Sequence, residues 1–329
     1  MSILLVLAAA VATPQPGELK TFRDWIVGCD NGRACKAVGL MPGDVLARDD
    51  FLRLAVSREN RIGGQAILTV DFDTIKPGTR IALMLDGRLF AETVGAPSES
   101  ETRLILTTAQ VRALANGTTA SVGKATASLG GMSAAMRYID DQQHSAGTAD
   151  ALIAIGQAKA GWEWFVYPIV REPSLDKRPP RMLKVARVTQ LIGPDVAKCD
   201  YTSAKVEPEV YRLDAQTSLV TVVHPCGNGA YNYYSSAFLI DEAGKVRPAT
   251  FDTDKPNPKD GENLGLVNAG YDPKTRRLSS FMKGRGLGDC GSGQDYVWDG
   301  TRFRLVEQTD MGECRGSMDY IRTWRAVVR

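Results

Sequence analysis

The chain has 329 residues, 43% hydrophobic and 24% charged, a composition that excludes a disordered or fibrous protein and allows two domains with their own cores. Forty Lys and Arg stand against 38 Asp and Glu, so a formal charge of +2 provides no long-range field for nucleic acid or an anionic membrane surface. The first segment is apolar from Ile3 to Ala12 and ends Ala10-Val11-Ala12, small residues of the kind a signal peptidase cleaves after, before Pro14 and Pro16. Residues 1–12 are therefore expected to be a secretory signal removed before Thr13. The run is too short to span a bilayer, which takes about 20 apolar residues, so no transmembrane anchor is expected after cleavage. No Lys or Arg precedes it, which leads us to expect an in-frame start upstream that adds a basic segment.

From Thr21 to Ala127, short apolar runs such as "FLRLAVS", "QAILTVDF", "RIALMLDG" and "TRLILTT" alternate with period two, the mark of antiparallel strands. Pro77-Gly78 and Asp86-Gly87 carry turn chemistry suited to hairpins. Two helices are expected in this region. "TTAQVRALANG" has Thr108 as its N-cap and stops at Gly117, and "SAAMRYIDDQQHSAG" closes at Gly147. The prediction is a β-sandwich domain over residues 19–147 with one or two short helices. Residues 148–194 include the proline-rich "PIVREPSLDKRPPRM" and are expected to form an extended linker and crossover, with Lys177, Arg178, Arg181 and Lys184 as its solvated cations. Residues 195–329 return to strands. "SSAFLIDEAGKVRPATFD", "LGLVNAGYDPKTRRLSSFMKG" and "DYVWDGTRFRLVEQ" form a hairpin meander whose closure into a sandwich, twisted sheet or part-propeller stays open.

Six cysteines in an exported chain favour disulfides, and six allow 15 pairings. If each domain closes its own loops, the pairs are Cys29 with Cys35, Cys199 with Cys226, and Cys290 with Cys314. The fold class is thus mainly β, two disulfide-stapled antiparallel β domains.

Signals for chemistry are sparse. The two histidines, His144 and His224, belong to no metal or hydrolase motif and are assigned structural roles. Ser-x-x-Lys occurs at Ser121 to Lys124 and at Ser174 to Lys177, but the first lies in an expected strand and the second abuts Pro179-Pro180. The acidic stretch at residues 252–263 has Pro256 and Asn257 where a calcium-binding EF-hand needs an oxygen ligand and a glycine, so a solvated loop is expected. Gly286, Gly288 and Gly291 spell G-x-G-x-x-G, yet the hairpin "QDYVWDGTRFRLV" follows where a dinucleotide fold needs a helix. No cofactor or metal is expected. Aromatic residues gather near the C-terminal cysteines, and Tyr231, Tyr233, Tyr234 and Trp298, with Arg285, Asp289 and Asp295, are the candidate binding residues. On alternating strand positions Tyr231 and Tyr233 would face one side and Tyr234 the other.

The blocks "FRDWIVGCDNGRACKA", "SAAMRYIDDQQ", "CGNGAYN" and "KGRGLGDCGSGQDYVWDGTRFRL" with Cys314 resemble a secreted proteobacterial family of unknown function, number 1176, over nearly the whole mature chain. The first block is also similar to the invasion-associated locus B family, exported proteins with a β-sandwich-like domain, in which Trp25 would pack and Cys29 would be bridged. The resemblance implies a periplasmic location and no reaction. The expectation is a periplasmic, non-enzymatic protein that contacts an envelope protein or a glycan; the alternative is an envelope hydrolase with Asp289 and Asp295 as its carboxylate pair.

Overall fold

The alternating runs become strands whose inward residues build two sandwiches. The computed structural model describes residues 13–43, 50–71, 78–94, 101–159, 165–193, 206–253 and 266–329. The expected signal segment, Cys199 and most of the acidic stretch after Thr253 lie outside them. In the N-terminal half the strands are β1 (Leu19–Phe22), β2 (Trp25–Cys29), β3 (Cys35–Gly39), β4 (Arg53–Arg58), β5 (Ala66–Asp71), β6 (Arg80–Leu85), β7 (Arg88–Val94), β8 (Glu101–Leu106), β9 (Thr119–Val122) and β10 (Ala125–Ser128). One sheet runs β1-β2-β3-β4-β5-β8 and the other β10-β9-β6-β7. Period two sends Trp25, Val27, Leu54, Val56, Leu68 and Val70 inward against Leu83, Ala120 and Ala127 of the second sheet. The Trp25 indole N–H donates to the Ser128 carbonyl at 3.0 Å, which ties the two sheets together.

Two helices pack onto this core. Helix α1 (Thr108–Asn116) starts one residue earlier than the sequence suggests, because Thr107 and Gln110 form a reciprocal capping box. Helix α2 (Met132–Gln142) buries Met132, Ala135, Met136 and Ile139, and with them Asp140. The Asp140 carboxylate accepts the backbone N–H groups of Leu152 at 2.6 Å, Ile153 at 2.8 Å and Ala154 at 3.0 Å, and the Ser145 hydroxyl at 3.1 Å. Arg58, also buried, faces it at 3.8 Å, and desolvation holds that guanidinium below its ordinary pKa against the pull of Asp140 and Asp150. The loop that carries Leu152 into the core is thereby also pinned by one carboxylate.

The crossover corrects the sequence reading. Only its middle is extended: β11 (Ile169–Val170) lies before it, and helix α3 (Val185–Ile192) follows the prolines. Arg178 pairs with Asp176 and donates to the Ala215 carbonyl, and the Arg181 amide donates to Ser218, so part of the basic cluster is bound to the C-terminal half.

That half contains β12 (Pro208–Arg212), β13 (Thr217–Val223), β14 (Tyr234–Asp241), β15 (Val246–Pro248), β16 (Leu266–Val267), β17 (Gly270–Asp272), β18 (Arg277–Lys283), β19 (Gly291–Trp298), β20 (Phe303–Met311), β21 (Ile321–Arg325) and β22 (Val327–Val328). The meander forms two sheets, β12-β13-β14-β15 with β16 on β14, and β17-β18-β19-β20-β21. Leu219, Leu239 and Leu266 of the first pack on Tyr271, Leu278, Tyr296, Trp298, Phe303 and Leu305 of the second. Of the closures left open by the sequence, this is a sandwich. Helix α3 covers the outer face of the first sheet, its Val188 set among Val220, Val222, Phe238 and Ile240.

On that outer face His224 Nε2 lies 2.8 Å from the Ser236 hydroxyl, and burial lowers the imidazole pKa from 6.5. The unfolded chain therefore takes up a proton near pH 6.5 that the folded chain resists, so this group's contribution is complete above pH 6.5 and is lost as pH falls toward the folded value. Thermal midpoints measured from pH 7.5 to 5 are expected to fall, and to fall less in His224→Gln.

The Cys29–Cys35 and Cys290–Cys314 bridges form as expected, and Cys226 is also disulfide-bonded. Among the described residues no cysteine is free, and no helix is long and apolar enough to cross a membrane.

Candidate functional site

The glycine-rich stretch sits at the junction of the two halves. Strands β18 and β19 pair up to Lys283 and Gly291, and the residues between them form a loop closed by the Gly284 amide on the Cys290 carbonyl at 2.7 Å. Gly291 has φ +146°, and a Cβ there would overlap the Met282 carbonyl oxygen, so the crossing requires glycine. Below the loop, Cys290 is bonded to Cys314, the Tyr320 hydroxyl donates to the Gly288 carbonyl at 3.0 Å, and the Gly316 amide donates to Asp289 at 2.7 Å.

Asp289 is buried and takes both arms of Arg285, Nε at 2.7 Å. Burial pushes its carboxyl up, but the guanidinium and the Gly316 amide outweigh that and leave the pKa below the ordinary 3.8. Next to Gly316, Arg315 crosses into the N-terminal half, donating to the Met41 carbonyl at 2.7 Å, the Arg23 carbonyl at 2.7 Å and the Asp24 carboxylate at 2.6 Å. Around it Ile26, Val38, Leu40 and Ala55 of the first sandwich share a core with Cys290, Met311 and Ile321 of the second. Lys36 with Asp319 and Arg322 with Asp30 add ion pairs across the same seam. The loop is thus the upper surface of a rivet between the halves.

Above the rivet lies the second loop, residues 227–233. Asn232 and Lys283 exchange two hydrogen bonds, Nδ2 to the Lys283 carbonyl at 2.9 Å and the Lys283 amide to Oδ1 at 3.0 Å. Asn268, at φ +46°, donates from Nδ2 to the carbonyls of Tyr231 and Phe281, and its backbone and side chain bracket Tyr233. The two loops that sequence reasoning singled out separately are therefore joined through two asparagines. Four large side chains project from the joined surface: Tyr231, 36% exposed, Tyr233, 49%, Met282, 51%, and Leu287, 46%.

The candidate binding residues divide. Tyr231 and Tyr233 are exposed, but in a loop; β14 begins only at Tyr234, which is half-buried, so the expected strand alternation does not apply to them. Arg285 borders the surface with its charge engaged by Asp289. Trp298 is a correction: it lies in the core of the C-terminal sandwich with its indole N–H on Asp214 at 2.6 Å, because residues 296 and 298 both point inward along β19. Asp289 is likewise buried as a structural anchor. Asp295 lies four residues beyond Gly291, about 13 Å along the strand, and accepts the Ser279 hydroxyl at 2.6 Å with Arg277 at 3.5 Å. The structure does not bring the two carboxylates together. Met282 and Leu287 were missed by sequence reasoning; Met282 shares its strand face with the buried Leu278 and Ser280, so parity alone would have placed it inward.

The model of the family described as "Protein of unknown function (DUF1176)" matches residues 19–329. The chain is 28% identical over 316 residues to the uncharacterized protein YpfG of Escherichia coli (strain K12), covering 90% of this chain and 88% of that protein. It is also similar to the crystal structure of invasion associated protein b from Bartonella henselae, at 15% identity and a TM-score of 0.30, over 38% of this chain and 98% of that one. With the family model spanning both sandwiches and the seam between them, the chain belongs to the DUF1176 family of proteins of unknown function.

Proposed function

We propose that the protein is exported to the periplasm after cleavage before Thr13 and acts there as a non-catalytic binding protein, recognising an envelope protein through Tyr231, Tyr233, Met282 and Leu287. The observation that carries this reading is the exposure of four large side chains on a base fixed by Asn232, Asn268 and the Cys290–Cys314 bridge. Tyr and Met are enriched at protein interfaces, and a surface already ordered loses little conformational entropy on binding. Bonded cysteines among the described residues fit an oxidising compartment. The combination of Met and Leu with two tyrosines favours a protein partner over a glycan, which would call for polar groups beside the rings.

The test is co-purification from periplasmic extract with the mature chain and with a Tyr231→Ala/Tyr233→Ala double variant. A discrete protein is expected with the first and at least tenfold less of it with the second, as befits interface anchors that contribute about 2 kcal/mol each. Equal recovery on both would refute the assignment.

A further inference from the structure

A second feature, separate from the tyrosine surface, lies at the open end of the β12-β13-β14 sheet. There a pocket of about 490 Å³ is lined by Glu207, Pro208, Glu209, Thr221, Val223 and Ser235, among others. Glu209 sits opposite Thr221, and Val223 opposite Ser235, so the register sets these side chains on one face. Glu207 precedes Glu209 by two residues, about 7 Å along an extended chain. Among the described residues neither glutamate has an ion-pair partner and no Lys or Arg lines the pocket. Glu209 instead accepts the Tyr211 hydroxyl at 2.9 Å.

A pair of carboxylates alone is an ordinary solvated feature. Ser235 adds an independent one. It is 2% exposed, it lines the pocket, and its hydroxyl has no hydrogen-bond partner, whereas the next residue, Ser236, satisfies its own hydroxyl with His224 on the opposite face. A buried hydroxyl without a partner costs free energy that a donor or acceptor entering the pocket would recover.

We propose that this pocket binds small aliphatic ammonium compounds and fits a diamine best. One ammonium group is held between Glu209 and the Ser235 hydroxyl, which accepts an N–H. The other is met by Glu207, and the carbon chain lies along Pro208 and Val223. The volume falls within the range of small-molecule sites, and the spacing of the carboxylates suits a four-carbon link.

Titration calorimetry on the whole mature chain with 1,4-diaminobutane, n-butylamine and 1,4-butanediol tests this. Saturable one-to-one binding of the diamine is expected, about tenfold weaker for the monoamine and absent for the diol, since each charge-assisted contact is worth at least that factor. Glu209→Gln and Ser235→Ala should each weaken the diamine about tenfold, and both glutamates are exposed enough for Glu209→Gln to fold normally. Failure of the diamine to saturate at roughly 10 mM, equal affinity for the diol, or unchanged affinity in both variants would overturn the proposal. None of these outcomes bears on the tyrosine surface, which has its own test.

Discussion

Asp140→Ala is expected to lower the thermal midpoint by about 10 °C. The carboxylate is fully buried, holds three consecutive backbone N–H groups and the Ser145 hydroxyl, and balances Arg58, which is itself buried. Removing one member of such a pair typically costs about 3–5 kcal/mol, because the remaining charge stays in a low-dielectric site without compensation. At about 2–4 °C per kcal/mol for a domain of this size, the shift follows. Asp140→Asn keeps one acceptor oxygen and presents two N–H groups to donors, so it should recover little of the loss. The loop at residues 145–156 should lose hydrogen-exchange protection first, at Leu152, Ile153 and Ala154, whose amides end on this one side chain. A midpoint within 2 °C of the parent chain would show that the network contributes far less than its geometry indicates.

The second large effect is expected at the seam. Arg315 joins the halves with three hydrogen bonds, one of them to a carboxylate, and its side chain is mostly covered. Among the described residues, Arg315→Ala leaves the Asp24 carboxylate with the Ser128 hydroxyl as its side-chain partner and removes the donors to the Met41 and Arg23 carbonyls, a loss of about 3 kcal/mol. Because the loss falls between two cores, the expected result in calorimetry is a single transition that splits into two, one for each sandwich. Reduction of the Cys290–Cys314 bridge acts on the same junction and should add to the split, since that bridge joins the β18–β19 loop to the segment that carries Arg315. A single transition in the reduced Arg315→Ala chain would show that the apolar seam and its remaining ion pairs suffice to couple the halves.

Strands with one solvated face, such as β5 with Ala66, Leu68 and Val70 inward, announce their sheet by parity, whereas β2 and β13 are apolar on both faces because the seam and helix α3 cover their outer sides. Helix α3 was legible but obscured: Val185, Val188, Leu191 and Ile192 have helical spacing, yet the prolines just before them drew the whole crossover toward an extended reading. The rivet was not legible. Nothing local distinguishes Arg315 from other surface arginines, and its partners Arg23, Asp24 and Met41 are almost 300 positions away. Asp140 resembles any acidic residue late in a helix, and its role depends on three amides that arrive from a later loop. For the candidate site, composition found the tyrosines and the glycine loop, but it could not separate the exposed Tyr231 from the buried Trp298. That distinction depends on where β14 begins and which face of β19 meets the opposite sheet.

The central claim, that the surface of Tyr231, Tyr233, Met282 and Leu287 receives an envelope protein, is tested most directly by photo-cross-linking in living cells. A photoreactive phenylalanine analogue is placed at position 233 or 287, and for comparison at Leu89, an exposed residue on the edge strand β7 of the other sandwich. One and the same protein adduct is expected from positions 233 and 287 and none from 89. Adducts of equal yield from all three positions, or none from 233 and 287, would contradict it.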